Sequence, residues 1–306
     1  RDVIVHFYNN LSSFKVALLL AFLPVHQLII HERGTIWNQK YNRRIISSFV
    51  AWKASVILSN SVATKIMLVN KLSISEKKIR VLHNGIDTSI NYNYHSNYKK
   101  NNSVFYIGFI GRLDLHKGAH ILIDAMNYLV HKNIKLVIAG DGVLKKILKT
   151  RASKLNNVEF IGRVNNPYSF ITTINLLVVP SIREPLGNVC LEAGLCKVPV
   201  LAANIDGLPE IIKHRVTGEL INPTDVISVD FPEVPVLLPE FVVNPNTQKL
   251  QIPKQINPCF LAKRILELST RPERLNYYAD NLHDEVANYF NINRYSTELH
   301  KDYDKI

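Results

Sequence analysis

Two runs of alternating strand and helix patterns, separated by a short polar stretch, constrain this chain more than any other feature. In the first run, Val3–Phe7, Gln27–His31, Ser55–Ser59 and Ile79–His83 read as strands, and Ser13–Leu23, Arg43–Lys53 and Ser61–Asn70 as helices. In the second, strands are expected at Val104–Ile110, Lys135–Ala139, Val158–Ile161, Leu176–Pro180 and Val198–Ala202. Helices are expected between them at Gly118–His131, Gly142–Leu155, Asn166–Thr173, Asn188–Leu195 and Leu208–Lys213. Strictly alternating strands and helices predict parallel sheets covered on both faces, joined by right-handed crossovers. The fold class is therefore α/β, with two doubly wound, Rossmann-like domains. The Asn-, Tyr- and Lys-rich stretch Asn91–Asn102 reads as the linker between them. Residues 226–258 break the rhythm: six of the 14 prolines fall between Pro232 and Pro258, a density that central strands do not tolerate. That stretch is expected to be an irregular excursion or an edge hairpin, followed by helices at Phe260–Leu268 and Pro272–Phe290.

Composition narrows the function classes. A chain of 306 residues holds one large or two ordinary domains, and 47% apolar content is enough for proper cores. No run of about 18 apolar residues exists, so no membrane-spanning helix is expected; the longest candidate, Val16 to Val25, is interrupted by Pro24 and reads as a buried helix. Three cysteines, Cys190, Cys196 and Cys259, have no metal-ligand spacing and argue for structural roles in a reducing compartment. Charge is uneven: residues 1–100 carry 14 Lys/Arg against 4 Asp/Glu, while the whole chain is only +12. A basic half meets polyanions or anionic lipid, or is simply a solvated face; no nucleic-acid-binding motif accompanies it. The chain starts at Arg1 and enters a strand pattern at once, which leads us to expect sequence upstream.

The chemistry concentrates at strand ends. Leu176-Leu177-Val178-Val179-Pro180 is followed by Glu184-Pro185-Leu186-Gly187-Asn188-Val189-Cys190-Leu191-Glu192. A buried strand, a tight loop and a helix start with free backbone N–H groups make an anion site. The amides of Gly187, Asn188 and Val189 are then placed to hold phosphate or sugar. The flanking carboxylates cannot bind the anion, so they serve hydroxyl groups attached to it, which is the chemistry of a nucleotide sugar. Eight residues of helix, at about 1.5 Å each, would separate Glu184 and Glu192 by about 12 Å, the span from hexose to ribose. Glu192 would accept from ribose hydroxyls and Glu184 would face the transferred sugar; two surface glutamates on a helix are the plain alternative, although Glu192 sits in apolar sequence and a buried carboxylate needs partners. Gly111-Arg112 and Lys117-Gly118 close another strand and can set two positive charges on a diphosphate, stabilising its departure without a metal ion. Gly140-Asp141-Gly142 is either an ordinary turn or a ligand contact. Ile161-Gly162-Arg163 offers a backbone edge to a base, with Arg163 beneath it. His31, ahead of Glu32-Arg33-Gly34, is either structural or a cleft histidine that meets donor or acceptor.

These motifs occur in order and together: Gly111-Arg112…Lys117-Gly118, Gly140-Asp141-Gly142, Phe160-Ile161-Gly162, Glu184 and Glu192 with seven residues between them, Gly207-Leu208-Pro209-Glu210, and Val81-Leu82-His83-Asn84-Gly85-Ile86-Asp87. Over residues 2–225 and the C-terminal helices the chain resembles the retaining glycosyltransferases of family four, which have the GT-B fold of two Rossmann-like domains facing across a cleft. The resemblance implies an acceptor-side domain over 1–90, a linker over 91–103, a nucleotide-sugar domain over 104–274 with the excursion at 226–258, and a C-terminal helix over 275–306 that joins the first domain. It implies transfer of a sugar from a nucleotide diphosphate, most often UDP, with retention and with no cofactor or metal. It places Arg112 and Lys117 on the diphosphate, Glu192 on the ribose, Glu184 near the transferred sugar and His31 in the cleft. The leaving phosphate, rather than a protein nucleophile, would help to deprotonate the acceptor, so the two-carboxylate hydrolase scheme does not carry over. The implied role is a cytoplasmic enzyme of surface polysaccharide or lipopolysaccharide synthesis, acting on a glycan or lipid-linked glycan and docking peripherally on the membrane through residues 1–100. Two departures stand out. The family's opening strand and Gly-rich loop are not seen, so the first domain is expected to be incomplete, with nucleotide-sugar binding without transfer as the alternative; and the excursion has no family counterpart. A nucleotide-sugar epimerase of the same fold would lack the Glu184/Glu192 pair.

Overall fold

The computed structural model describes residues 3–9, 11–22, 25–38, 44–89, 103–227 and 238–305. The first alternating run forms a four-stranded parallel sheet in the order β1 (Ile4–Tyr8), β2 (Gln27–Glu32), β3 (Val56–Ser59), β4 (Ile79–Val81). Its crossovers are α1 (Phe14–Phe22), α2 (Arg44–Lys53) and α3 (Val62–Leu72). Ser61 begins α3 as expected of a cap, its side chain accepting the Thr64 amide. Side-chain alternation sorts the two faces of this sheet. Leu28 and Ile30 join the main core, whereas Ile29, Leu58 and Leu82 form a separate cluster closed by Leu299 from α11 (Ile292–Tyr303).

The second run gives a six-stranded parallel sheet, ordered β10 (Glu219–Ile221), β9 (Val200–Ala203), β8 (Leu176–Val179), β5 (Phe105–Ile110), β6 (Ile134–Ala139), β7 (Val158–Gly162). In chain order this is the 3-2-1-4-5-6 arrangement, and its direction of winding reverses between β5 and β8. Ligands of such sheets bind at that reversal, beyond the carboxyl ends of the strands. The covering helices are α4 (Ala119–Met126), α5 (Lys145–Arg151), α6 (Pro167–Ile171), α7 (Asn188–Leu195) and α8 (Leu208–Ile211). β8 and β9 are buried at every position, as a central parallel pair requires. The helix expected over Gly118–His131 tightens into a 3-10 turn at Asn127–Leu129, and β10 is an additional edge strand.

The linker expected over 91–103 lies outside the described residues except for Ser103. Of the Pro-rich excursion, residues 228–237 lie outside them as well; the remainder carries an antiparallel hairpin, β11 (Val242–Asn244) with β12 (Lys249–Gln251), packed against α3 of the first domain. The segment expected as one helix over 275–306 is split between two, and the second of them packs on the first domain. α9 (Pro258–Ser269) and α10 (Pro272–Tyr289) stay on the second domain, α10 lying along α7. The break falls at Asn291, whose side chain accepts the Arg294 amide at 2.8 Å and starts α11 afresh. Ile86 pins this crossing, its N–H donating to Phe290 O at 2.7 Å and its carbonyl accepting from Ile292 N at 2.9 Å. A second brace is Glu210 on α8. Its carboxylate crosses to the other domain, accepts the first α3 amides from Val62 at 2.8 Å and Ala63 at 3.0 Å, and meets His83 Nε2 at 2.7 Å. A carboxylate on a helix N-terminus also complements the helix dipole.

Candidate functional site at the domain cleft

A cavity of about 740 Å³ opens at the β5/β8 reversal and is closed on its far side by loops of the first domain. Its size suits a drug-sized or nucleotide-sized ligand. From the second domain it is lined by Gly111, Arg112 and Lys117 after β5, by Gly140 and Asp141 after β6, by Arg163 after β7, and by Glu184, Gly187, Asn188, Val189 and Glu192 around the start of α7.

Glycines bring these loops together. Gly140 has φ +151, and a Cβ there would sit 1.9 Å from Gly111 O. Gly118 has φ +73, and a Cβ would sit 2.0 Å from Pro180 O, so the turn carrying Lys117 is pressed onto the end of β8. Asp114 caps that turn through the Lys117 amide at 3.3 Å. Lys117 Nζ then donates to Glu184 Oε2 at 2.5 Å, and Ser181 Oγ donates to the same oxygen at 3.2 Å. Arg112 projects into solvent and pairs with Asp114 at 3.2 Å. Asp141 is held by Lys145 Nζ at 2.7 Å and by its own turn at Gly142 N, 2.8 Å away.

Gly187, with φ +100, caps α7, and the first amides of a helix have no acceptor inside it. Burial pushes the Glu192 carboxyl up to about 7, against the opposing pull of the Lys117 ammonium. A carboxyl poised there gains from any ligand that donates hydrogen bonds to it.

The loop carrying Glu184 is fixed by its backbone. Glu184 N–H donates to Asp206 Oδ2 at 2.9 Å, and Gly207 N–H donates to Glu184 O at 3.1 Å. Asp206 is fully buried and its carboxyl is raised to about 7, chiefly by that burial and against the hydrogen bonds from Val243 and Glu184. Beside it, the buried Arg183 guanidinium reaches Asn38 of the first domain.

Three lining residues from the first domain were not foreseen: Arg33, Asn60 and Asn84. Asn84 Nδ2 donates across the cleft to Asn188 Oδ1 at 2.7 Å, while its buried Oδ1 has no hydrogen-bond partner among the described residues. Gly34, with φ +115, abuts Pro185, where a Cβ would lie 2.4 Å from Pro185 Cγ.

Three expected site residues stand outside the lining. Ile161 and Gly162 belong to the edge strand β7, and the Gly162 carbonyl is already taken by Gly140 N at 2.7 Å. His31 is not in the cleft lining either: it is fully buried on the sheet face covered by α11. Register explains this. Tyr8 pairs with His31 across β1 and β2, so both stand on the face of Ile29, and the His31 ring stacks with His6, Tyr8 and Tyr295 at 5.1–6.3 Å. Burial, reinforced by the nearby Arg33 charge, pushes His31 down to about 3, so it is neutral. Among the described residues, no group of three His, Cys, Asp or Glu side chains is placed to hold a metal ion.

Residues 92–229 match the family model of the glycosyl transferases group 1. The chain is 33% identical over 172 residues to the N-acetylgalactosamine-N,N'-diacetylbacillosaminyl-diphospho-undecaprenol 4-alpha-N-acetylgalactosaminyltransferase of Campylobacter jejuni, covering 55% of this chain and 46% of that protein. It is 30% identical over 188 residues to the capsular polysaccharide biosynthesis glycosyltransferase CapM of Staphylococcus aureus, covering 56% and 48%. The chain thus spans about half the length of these curated relatives. Anabaena Alr3699/HepE, solved in complex with UDP-glucose, superposes with a TM-score of 0.76 at 20% identity over 98% of this chain and 79% of that one. The two facing parallel sheets are accordingly the GT-B fold.

Proposed function

We propose that this protein transfers a sugar from a UDP-linked donor to a glycan or lipid-linked glycan, with retention of the anomeric configuration, in surface polysaccharide synthesis. The observation that carries the reading is the convergence of Lys117, Glu184 and the start of α7 at the β5/β8 reversal, facing Arg33 and Asn84 across one cavity. The relatives' capsule and undecaprenol-linked chemistry, and the UDP-glucose held by HepE, support the substrate classes.

Each residue then has a physical task. The α7 amides and Lys117 take the diphosphate. Arg112, exposed and paired with Asp114, adds a second charge as the phosphate departs. In this role Lys117 exchanges its present partner Glu184 for phosphate, which frees the Glu184 carboxylate for the hydroxyls of the transferred sugar. Glu192 accepts from the ribose, and Arg163 flanks the base. Two cations on the leaving group make a metal ion dispensable in this scheme. The departing phosphate oxygen takes the acceptor proton, so no carboxylate need act as nucleophile.

The test is release of UDP from UDP-sugars with and without a lipid-linked glycan acceptor, with the product's anomeric configuration read by NMR. Acceptor-dependent UDP release and a retained α-linkage are expected. Donor binding with no transfer would favour the reading as a nucleotide-sugar-binding protein, and inversion would overturn retention.

Peripheral membrane docking belongs to the same proposal. Among the described residues no helix is long and apolar enough to cross a membrane. The basic first domain nevertheless exposes Phe14, Leu18 and Phe22 on α1 and Ile45 and Trp52 on α2, with Lys53 Nζ 5.2 Å above the Trp52 ring. Apolar side chains beside cations match an anionic lipid interface. Co-sedimentation with vesicles containing anionic lipid is expected, and equal binding to neutral vesicles would sink the idea.

A further inference from the structure

We infer that Asp206 is a positioning residue through which the hairpin β11–β12 sets the placement of Glu184. The inference rests on the role proposed for Glu184 at the transferred sugar, and deepens it.

The Asp206 carboxylate holds two segments at once. Oδ2 accepts the Glu184 amide at 2.9 Å, and Oδ1 accepts the Val243 amide of β11 at 2.7 Å. The main chain repeats both links: Asp206 N–H donates to Val243 O at 3.0 Å, and Gly207 N–H to Glu184 O at 3.1 Å. One residue therefore satisfies the N–H and the C=O of Val243, and with its neighbour does the same for Glu184. These two partners lie 22 and 37 positions away in sequence, on either side of Asp206.

Two costs are concentrated at this position. A carboxylate with 2% of its surface exposed is expensive to bury, and φ +47 is a left-handed conformation that side chains other than Gly, Asn and Asp avoid. Ending β9 would require neither. The side chain is put to a use that accounts for its burial: each of its two oxygens accepts a different backbone amide, which an Asn side chain could do with only one of its two terminal atoms.

The hairpin gives the link a direction. Val242 and Val243 are buried, and the hairpin leans on α3 of the first domain. Just ahead of it, Glu240 lies 3.8 Å from Lys71 Nζ on α3. The same ammonium faces the carbonyls of Ile36 and Trp37, at 3.4 Å each, in the segment that places Asn38 on Arg183. The hairpin is thus seated on the first domain and tied, through one carboxylate, to the backbone of the glutamate that lines the cleft in the second. A change in the separation of the domains reaches Glu184 by this route without passing through the ligand.

The test uses the full chain and two variants that cut the link from opposite ends. Asp206→Asn keeps the size but turns an N–H donor toward one of the two amides. Val243→Pro removes the hairpin's donor and leaves Asp206 intact. Hydrogen exchange at residues 182–186 is expected to quicken in both. Calorimetry with UDP and with UDP-glucose as probes should show UDP affinity within about threefold of wild type, while the extra affinity for UDP-glucose over UDP falls by about tenfold, the loss of roughly one well-made hydrogen bond. General destabilisation would weaken both probes alike. Unchanged exchange at 182–186 in either variant, or parallel loss of both ligands, overturns the inference. If Asp206→Asn does not fold, Val243→Pro alone decides it. If wild type binds neither probe, the donor reading falls, and exchange at 182–186 still decides whether the link exists.

Discussion

Two strand-end loops of this molecule carry the same ingredients and use them in opposite ways. At the end of β2, Glu32-Arg33-Gly34 turns into a 3-10 helix; after β8, Glu184-Pro185-Leu186-Gly187 turns into α7. Glu32 is fully buried and commits its carboxylate to its own chain, with Oε1 accepting the amides of Gly34 at 3.0 Å, Thr35 at 2.6 Å and Ile36 at 3.2 Å, plus the Thr35 hydroxyl. In the second loop Asp206 and Gly207 hold the backbone, and the Glu184 carboxylate is left to the cleft and to Lys117. A carboxylate is available to a ligand when something else satisfies the amides around it. The first loop satisfies them from within and offers Arg33 to the cavity instead.

The contrast between the loops can be broken at four points. Lys117→Ala should have the largest effect, lowering turnover by about 10²–10³-fold, the scale for losing one preorganised group from a developing charge. Donor affinity should fall much less, and a loss confined to affinity would make Lys117 a simple anchor. Glu32→Ala should strike stability instead, by about 3 kcal/mol in urea unfolding, since several donors lose one buried acceptor. Donor affinity of the remaining folded protein should be unchanged, and a variant of normal stability that no longer binds UDP would reverse the contrast.

Glu192→Gln should weaken UDP binding by about 1.5–3 kcal/mol, the range for hydrogen bonds to a charged group. Its proton linkage is the sharper reading. Glu192 is raised to about 7, and ribose hydroxyls favour the carboxylate, so wild-type binding near pH 7 should release a proton, visible as a buffer-dependent heat that the variant lacks. Because the folded value lies above the unfolded one, the stability contributed by Glu192 is full below about 4.5 and is lost as pH rises toward 7.

His31→Phe should have the smallest effect at neutral pH. With the folded value lowered to about 3, neutral His31 supports the fold above its ordinary 6.5, and that support is lost as pH falls from 6.5 toward 3. The Phe variant should unfold at lower pH by circular dichroism and keep its turnover. Loss of turnover with the fold intact would restore a part for His31 in the chemistry.

The fold was legible because its signals are local. Apolar strand patterns alternating with helix patterns placed both sheets, and Asn188–Leu195 has the bounds expected of it. The second-domain half of the cleft was legible for the same reason, since Gly111, Lys117 and Glu184 lie in loops that follow strands and Glu192 in the helix that follows one of them. What escaped depends on residues far apart in the chain. His31 was expected in the cleft, but its facing is decided by pairing parity with β1 and by α11. The break at Asn291 looks like one more polar residue in a long helix until Ile86 is seen to meet it. Asn84 and Asn60 come from loops whose sequence carries no ligand signature, and Asp206 reads as an ordinary turn until Val243 is brought beside it. A charged residue at a strand end, just before Gly-Leu-Pro, is the one local hint that was available.

The bare Cα of Gly34, lying against Pro185, has a mechanical meaning. It lies on the seam where the first domain meets the loop that carries Glu184, and the closeness of that contact depends on a missing carbon. A methyl there would press on the Pro185 ring and would also strain its own loop, because φ +115 disfavours any side chain. The fit of the two domains beside the cavity is therefore written partly at a position with no side chain at all.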